Sequence, residues 1–257
     1  MSNNPRHTRP NLTSIDDVIK YYADLKLNSG EVVHALQVGA NDGITDDPIH
    51  KYIINHNWKA ILVEPQTYVF ENQLKETYKN QQNLHFENVA MGREVGELPF
   101  YQLSFTKEKW ATGLASFVRE CLQDHIDRGY VYRKSIKSGT TPPENESDYI
   151  EEVMVKVDTF ENILSRNNFD RVDLLCIDTE GYDFEVLKMF DFEKFKPELV
   201  LFESKNLADE DFINAQGLLK KYGYNLFWQK GNTIAVRFKV PWPIRGMLKA
   251  KAFIEKL

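Results

Sequence analysis

The residues best able to do chemistry are acids placed just beyond apolar runs. Asp173-Leu174-Leu175-Cys176-Ile177-Asp178-Thr179-Glu180-Gly181 sets two carboxylates, Asp178 and Glu180, directly after a buried-type strand. A second apolar run, Leu199 to Phe202, ends at Glu203-Ser204-Lys205. Ligands of open α/β sheets sit beyond the carboxyl ends of the strands, so Asp178, Glu180 and Glu203 could converge. Such a group could hold a divalent cation through oxygen ligands, with Asp178 and Glu203 as candidates, or one carboxylate could act as a base. The bland alternative is that one or two of them only hydrogen-bond loops. Lys205 and His125 are further candidates for a base, although His125 reads as a surface histidine on a polar helix. Asp183 suits the start of the following helix, a structural task.

A second constellation lies upstream. Val38-Gly39-Ala40-Asn41-Asp42-Gly43 follows a strand directly. Glycine permits positive φ and close backbone approach to a ligand, and Asn tolerates the left-handed region. Asn41 and Asp42 also offer polar groups for the ammonium and carboxylate of an amino acid. The motif is not G-x-G-x-x-G, and a plain strand-to-helix turn would use the same residues. Glu64 ends the next strand, and dinucleotide-type folds place an acid about 20 residues on to accept ribose hydroxyls. Asn88, after a third strand, has an amide that could meet an adenine edge.

These residues need a scaffold, and the pattern supplies one. Ser14 can cap a helix from Ile15 to about Leu27, with Asp17 in its first turn and Gly30 as a stop. Strands are expected at 35–38, 60–63 and 85–90, with helices at about 48–56 and 67–79 between and after the first two. This alternation calls for a parallel sheet with right-handed crossovers. It breaks after Gly96: Leu98–Leu103 could be an extra strand, and 104–150 is polar, with Pro142-Pro143 inside it. Long loops of this kind usually cover something, so the segment is expected to shape an acceptor pocket. Alternation resumes with strands at 153–157, 172–177 and 199–202. Asp158 and Glu161 have capping-box spacing for the helix that follows the first of these. A hairpin over 224–238 turns at Lys230-Gly231-Asn232, and a purely parallel dinucleotide fold would not need it. The chain divides into a lead and helix (1–30), a main α/β domain (31–238) with the insertion at about 104–150, and a basic amphipathic tail (239–257).

Composition narrows the classes. The 257 residues are 42% apolar and 12% aromatic, enough for a sizeable core and too much for a disordered chain. A net charge of -6 does not attract phosphate backbones, so nucleic acid is a poor partner. Cys121 and Cys176 lack metal or redox spacing,, which fits a reducing, cytoplasmic setting. No transmembrane run is present, and Met1–Leu12 lacks the apolar stretch of a signal peptide. The C-terminal tail could lie on a membrane surface, but docking on its own domain, or on a second copy in a homo-oligomer, is the plainer reading.

Taken in order, several blocks resemble the FkbM-type family of S-adenosylmethionine-dependent methyltransferases. They are Val38-Gly39-Ala40-Asn41-Asp42-Gly43, Val63-Glu64-Pro65, Asn88-Val89-Ala90, Val155-Lys156-Val157-Asp158-Thr159-Phe160, and Leu175-Cys176-Ile177-Asp178-Thr179-Glu180-Gly181-Tyr182-Asp183-Phe184-Glu185-Val186-Leu187. The resemblance covers about residues 34–238. It implies a Rossmann-like, seven-stranded methyltransferase sheet, mostly parallel with an antiparallel last strand and helices on both faces. It implies S-adenosylmethionine held by Gly39, Ala40, Asn41, Asp42, Gly43 and Glu64, and O-methylation of a sugar or other natural product. Gln37 stands where many enzymes of the wider class carry an acid. The alternatives are a nicotinamide-dependent oxidoreductase and a non-catalytic binding domain on the same fold.

Overall fold

The computed structural model describes residues 14–240. The polar lead and residues 241–257 of the tail lie outside them. Helix α1 (Ile15–Ser29) opens with a capping box: the Ser14 hydroxyl accepts from the Asp17 amide at 3.2 Å, and the Asp17 carboxylate accepts from the Ser14 amide at 2.8 Å. It stops at Gly30, where φ is +71°. Then follow β1 (His34–Val38), α2 (His50–His56) and β2 (Lys59–Val63). Helix α3 (Thr67–Val69) passes through a π turn (Phe70–Leu74) into α4 (Lys75–Thr77), and β3 (Leu84–Glu87) closes the first half.

A second, three-stranded sheet comes next. It is built from β4 (Ala90–Met91), β5 (Gly96–Leu103) and β6 (Ile150–Asp158), ordered β4-β6-β5. Two expectations are corrected here. The strand expected at 85–90 ends at Glu87, and Ala90 and Met91 pair instead with Val157 and Asp158. The strand expected at 153–157 does not join the main sheet; it pairs antiparallel with β5. Its burial alternates, as suits a strand with one covered face. The inserted segment between β5 and β6 forms α5 (Lys109–Thr112), α6 (Arg119–Asp127) and α7 (Tyr130–Ser138) rather than a loop. Leu122, Ile126 and Val131 pack with Leu103 and Tyr149 into a small core of their own.

The chain then returns to the main sheet through α8 (Phe160–Arg166), β7 (Leu174–Ile177), α9 (Asp183–Met189), β8 (Leu199–Glu203), α10 (Asp209–Lys221), β9 (Asn225–Gln229) and β10 (Asn232–Val236). Thr159, not Asp158, caps α8, accepting from the Asn162 amide; Asp158 instead binds Arg166 and Asn162. The seven strands run β3-β2-β1-β7-β8-β10-β9, and β10 lies antiparallel to both neighbours. Its turn has two residues, Lys230 (φ +49°) and Gly231 (φ +82°), a pair of positive φ values that suits the twist of a tight hairpin.

Strand side chains alternate between two cores. Ala35, Ala60, Leu62, Leu174 and Leu201 face α1, α2 and the π turn. Leu36, Val38, Ile61, Val63, Leu175 and Ile177 face α8, α9 and α10. Covering both faces forces the continuous apolar runs of β7 and β8, which are buried throughout,. It also sends all four parallel inner strands, β2, β1, β7 and β8, to one polar edge.

Candidate functional site

A cavity of about 850 Å³ lies at that edge, within the usual size of small-molecule sites. The ends of β1, β2, β7 and β8 form its floor, and the inserted helices form one wall. Segment 109–118 crosses above the floor. Lys109 Nζ lies 2.8 Å from the Asp42 carboxylate, Gln66 Nε2 donates to the Thr112 carbonyl at 2.9 Å, and the Ser116 hydroxyl donates to the Glu180 carbonyl at 2.7 Å.

The turn after β1 is built for tight packing. Gly39 has φ +79°, and a Cβ there would lie 1.7 Å from the Asp178 carbonyl oxygen. Gly39 and Ala40 both donate to the Val63 carbonyl at 3.0 Å, and Asn41 takes φ +43°. Gly39, Ala40 and Asn41 line the cavity; Asp42 and Gly43 do not. Asp42 is fully buried and accepts from the Ile44 and Thr45 amides and the Thr45 hydroxyl. Its carboxylate closes the loop and pairs with Lys109. Gly43 makes room for Tyr78, whose ring carbon would lie 2.5 Å from an added Cβ.

Glu64 is buried and lines the cavity. One oxygen accepts from the Asn41 amide at 2.9 Å, and the other from the Gln66 amide and side chain at 2.8 and 3.2 Å. An ionised carboxylate has about four acceptor sites, so one remains, on the oxygen facing Asn41. Burial pushes this carboxyl up to about 7, against the pull of those three donors. Asn88 does not line the cavity. Its amide donates to the Glu64 and Pro65 carbonyls and its oxygen accepts from Thr67, so it ties down the turn after β2. Val89, Ala90 and Met91 line the wall instead, because the chain has left the main sheet there.

Asp178, Glu180 and Glu203 do come together: one carboxylate oxygen from each lies within 4.8 Å of the others. Their surroundings differ. Lys205 Nζ is 2.5 Å from Glu203, and the Asn206 amide bridges Glu180 and Glu203 at 2.6 and 2.8 Å. Asp178 has no hydrogen-bond partner for its carboxylate among the described residues. Its side chain is exposed to solvent within the cavity. Burial, followed by the charges of Glu203 and Glu180, raises its proton affinity well above the usual carboxylate range. Glu180 is pushed up to about 8, by burial first and Glu203 second, with Lys205 opposing. Asp183, buried and raised to about 7 mainly by burial, accepts from Thr179 and from the Glu203 amide, so it holds both acid-bearing loops. An ammonium and an amide already engage Glu203, and the same amide engages Glu180, while Asp178 stays open.

Two cavity residues, Trp110 and Lys134, were not named from the sequence, and the surroundings of Gln37 and His125 differ from what it suggested. Gln37 is buried and lines the cavity, and its Oε1 has no partner among the described residues; Nε2 donates to Asp47 at 3.0 Å. Trp110 Nε1 is likewise buried and unpartnered, on the inserted wall. His125 is not a surface histidine: it is half-buried, lines the cavity, and burial and then Lys205 lower its pKa. Lys134 lines the same wall. Cys176 is a buried free thiol in the core, as expected.

No curated protein matches the sequence. Among solved structures, an FkbM methyltransferase from Methylobacillus flagellatus is similar at 11% identity and a TM-score of 0.48. The match covers 84% of this chain and 48% of that one, so the chain spans about half that protein's length. The N-terminal domain of human METTL16, solved with S-adenosylhomocysteine, is similar at 10% identity and a TM-score of 0.40, over 87% of this chain and 70% of that one. The model of the methyltransferase FkbM domain matches residues 37–226, a span that opens on Gln37 at the cavity floor and takes in the turn, Glu64 and all three converging acids. By that match the chain belongs to the FkbM methyltransferase family.

Proposed function

We propose that the protein transfers a methyl group from S-adenosylmethionine to a hydroxyl oxygen of a sugar or another natural product. When bound, the cofactor supplies an electrophilic methyl group. The remaining acceptor site of Glu64 suits a ribose hydroxyl, and the unpaired Gln37 Oε1 suits an ammonium. Met91 and Val89 offer an apolar wall to a ring. These fits, with the backbone turn at Gly39–Asn41, support the cofactor reading.

The acceptor must place its oxygen roughly 3 Å from the methyl carbon, in line with the bond to be broken. An alcohol is a poor nucleophile while it keeps its proton. Asp178 is the one carboxylate of the three without a hydrogen-bond partner among the described residues, and its raised proton affinity makes it a stronger base than an ordinary carboxylate,. The proton moves from the hydroxyl to the Asp178 carboxylate as the O–C bond forms. Glu180 and Glu203, fixed by Asn206 and Lys205, stand beside it. The single observation that carries this reading is that unpartnered carboxylate at the floor of the cavity.

The test is thermal melting with S-adenosylhomocysteine and, separately, with NAD, followed by methyl transfer from labelled cofactor to a panel of glycans and polyols. We expect the homocysteine ligand alone to raise the melting temperature, and the label to appear as an O-methyl signal by NMR. Binding without transfer to any hydroxyl would leave a non-catalytic domain as the reading.

A further inference from the structure

We infer that the acceptor carries an oxyanion, a phosphate or a carboxylate, held by a cationic rim on the acceptor side of the cavity. This rests on the methyl-transfer reading above and names the chemistry of its second substrate.

The chain is acidic overall, at -6, and the cavity floor carries carboxylates. Yet Lys134, His125, Lys205 and Lys230 all line the cavity, and they come from four separate elements: α7, α6, the loop after β8 and the β9–β10 turn. Ring contacts, one electrostatic influence and one packing contact relate them in turn. Lys134 Nζ lies 5.4 Å from the centre of the Tyr130 ring. That ring lies 5.4 Å from His125. His125 in turn feels Lys205 as its strongest neighbouring charge. The Lys205 stem packs under the hairpin turn, where a Cβ on Gly231 would sit 2.7 Å from the Lys205 Cβ; Lys230 is the adjoining residue.

The members of this rim are not equally committed. Lys205 is paired with Glu203 at 2.5 Å. Lys134 is half-buried and has no acidic partner among the described residues, only the face of Tyr130. An anion arriving in the cavity would give this ammonium a counter-charge. The side chain is also long enough to follow an anion without moving α7. The rim stands on the inserted helices and the hairpin, whereas the turn and Glu64 stand on β1 and β2. An anion at the rim therefore leaves the cofactor side of the cavity free, and sets the rest of the acceptor over Asp178.

The protein saturated with S-adenosylhomocysteine would be titrated, in low salt, with inorganic phosphate and separately with acetate, by calorimetry. We expect saturable binding of at least one anion, and the two arms say which oxyanion the rim prefers. Lys134→Ala should weaken that binding about tenfold or more, and Lys134→Arg should retain it. Affinity for S-adenosylhomocysteine should stay within about threefold in both variants. The inference is overturned if neither anion binds, if Lys134→Ala binds them as tightly as the native chain, or if Lys134→Ala loses the homocysteine ligand, which would assign the rim to the cofactor. Failure of the native protein to bind S-adenosylhomocysteine would overturn the methyl-transfer reading itself, a result distinct from any of these.

Discussion

Replacing Glu180 by Gln should change how the protein's stability responds to pH. Gln keeps the volume and leaves an oxygen to accept from Asn206. In the folded chain the Glu180 carboxyl is raised from 4.5 to about 8, by burial and then by Glu203. It therefore holds its proton longer in the folded state than in the unfolded one. Its contribution to stability is fully present below about pH 4.5 and is lost as the pH rises through about 8,. At about 1.4 kcal/mol per decade, that interval corresponds to about 5 kcal/mol. Solvent in the cavity screens a half-buried group, which brings the figure to about 2–3 kcal/mol. Urea unfolding at pH 5 and pH 9 measures it. The native chain should lose about 2–3 kcal/mol more than Glu180→Gln between the two. In a domain of this size that corresponds to a melting shift of roughly 4–12 °C. Parallel pH profiles for the two proteins would refute the crowding of charge at this site.

Asp178→Asn should lower turnover by about 10²–10⁴, the usual weight of a base, with S-adenosylhomocysteine affinity within about threefold; undiminished turnover would remove Asp178 as the proton acceptor. Glu64→Ala should weaken the same ligand by about tenfold or more, close to 1.4 kcal/mol, since it removes the free acceptor and releases the Asn41 amide; equal affinity by calorimetry would count against it. Gly39→Ala should cost at least about 3 kcal/mol, combining positive φ with the clash at Asp178 that forces β1 and β7 apart. A native urea midpoint for that variant would show the turn to be more tolerant than its geometry allows.

The local chemistry of the chain was legible where one short stretch decides the outcome. Ser14 and Asp17 form their capping box because both partners sit within one turn. Leu174–Ile177 and Leu199–Glu203 read as buried strands because helices on both faces demand unbroken apolar runs,. The placement of Asp178, Glu180 and Glu203 at one edge follows from the same rule, since parallel strands end together. Val153-Met154-Val155-Lys156-Val157 is nearly all apolar in sequence, and only the structure shows that it alternates in burial as a strand covered on one side.

What the sequence determined by itself is the parallel frame, the turn at Gly39 and the family, all set by neighbours close in the chain or by blocks in a fixed order. Only the tertiary structure decided how the polar side chains divide their work. Asp42 and Asn88 have the right chemistry for a ligand, but Asp42 closes its own loop and pairs with Lys109, and Asn88 holds the backbone of the turn after β2. The inserted helices brought His125, Trp110 and Lys134 to the cavity from a stretch that reads as a polar loop. The physical reason is common to both: a carboxylate, amide or ammonium can bond whatever lies within about 3 Å, and that distance is fixed by packing between segments far apart in sequence.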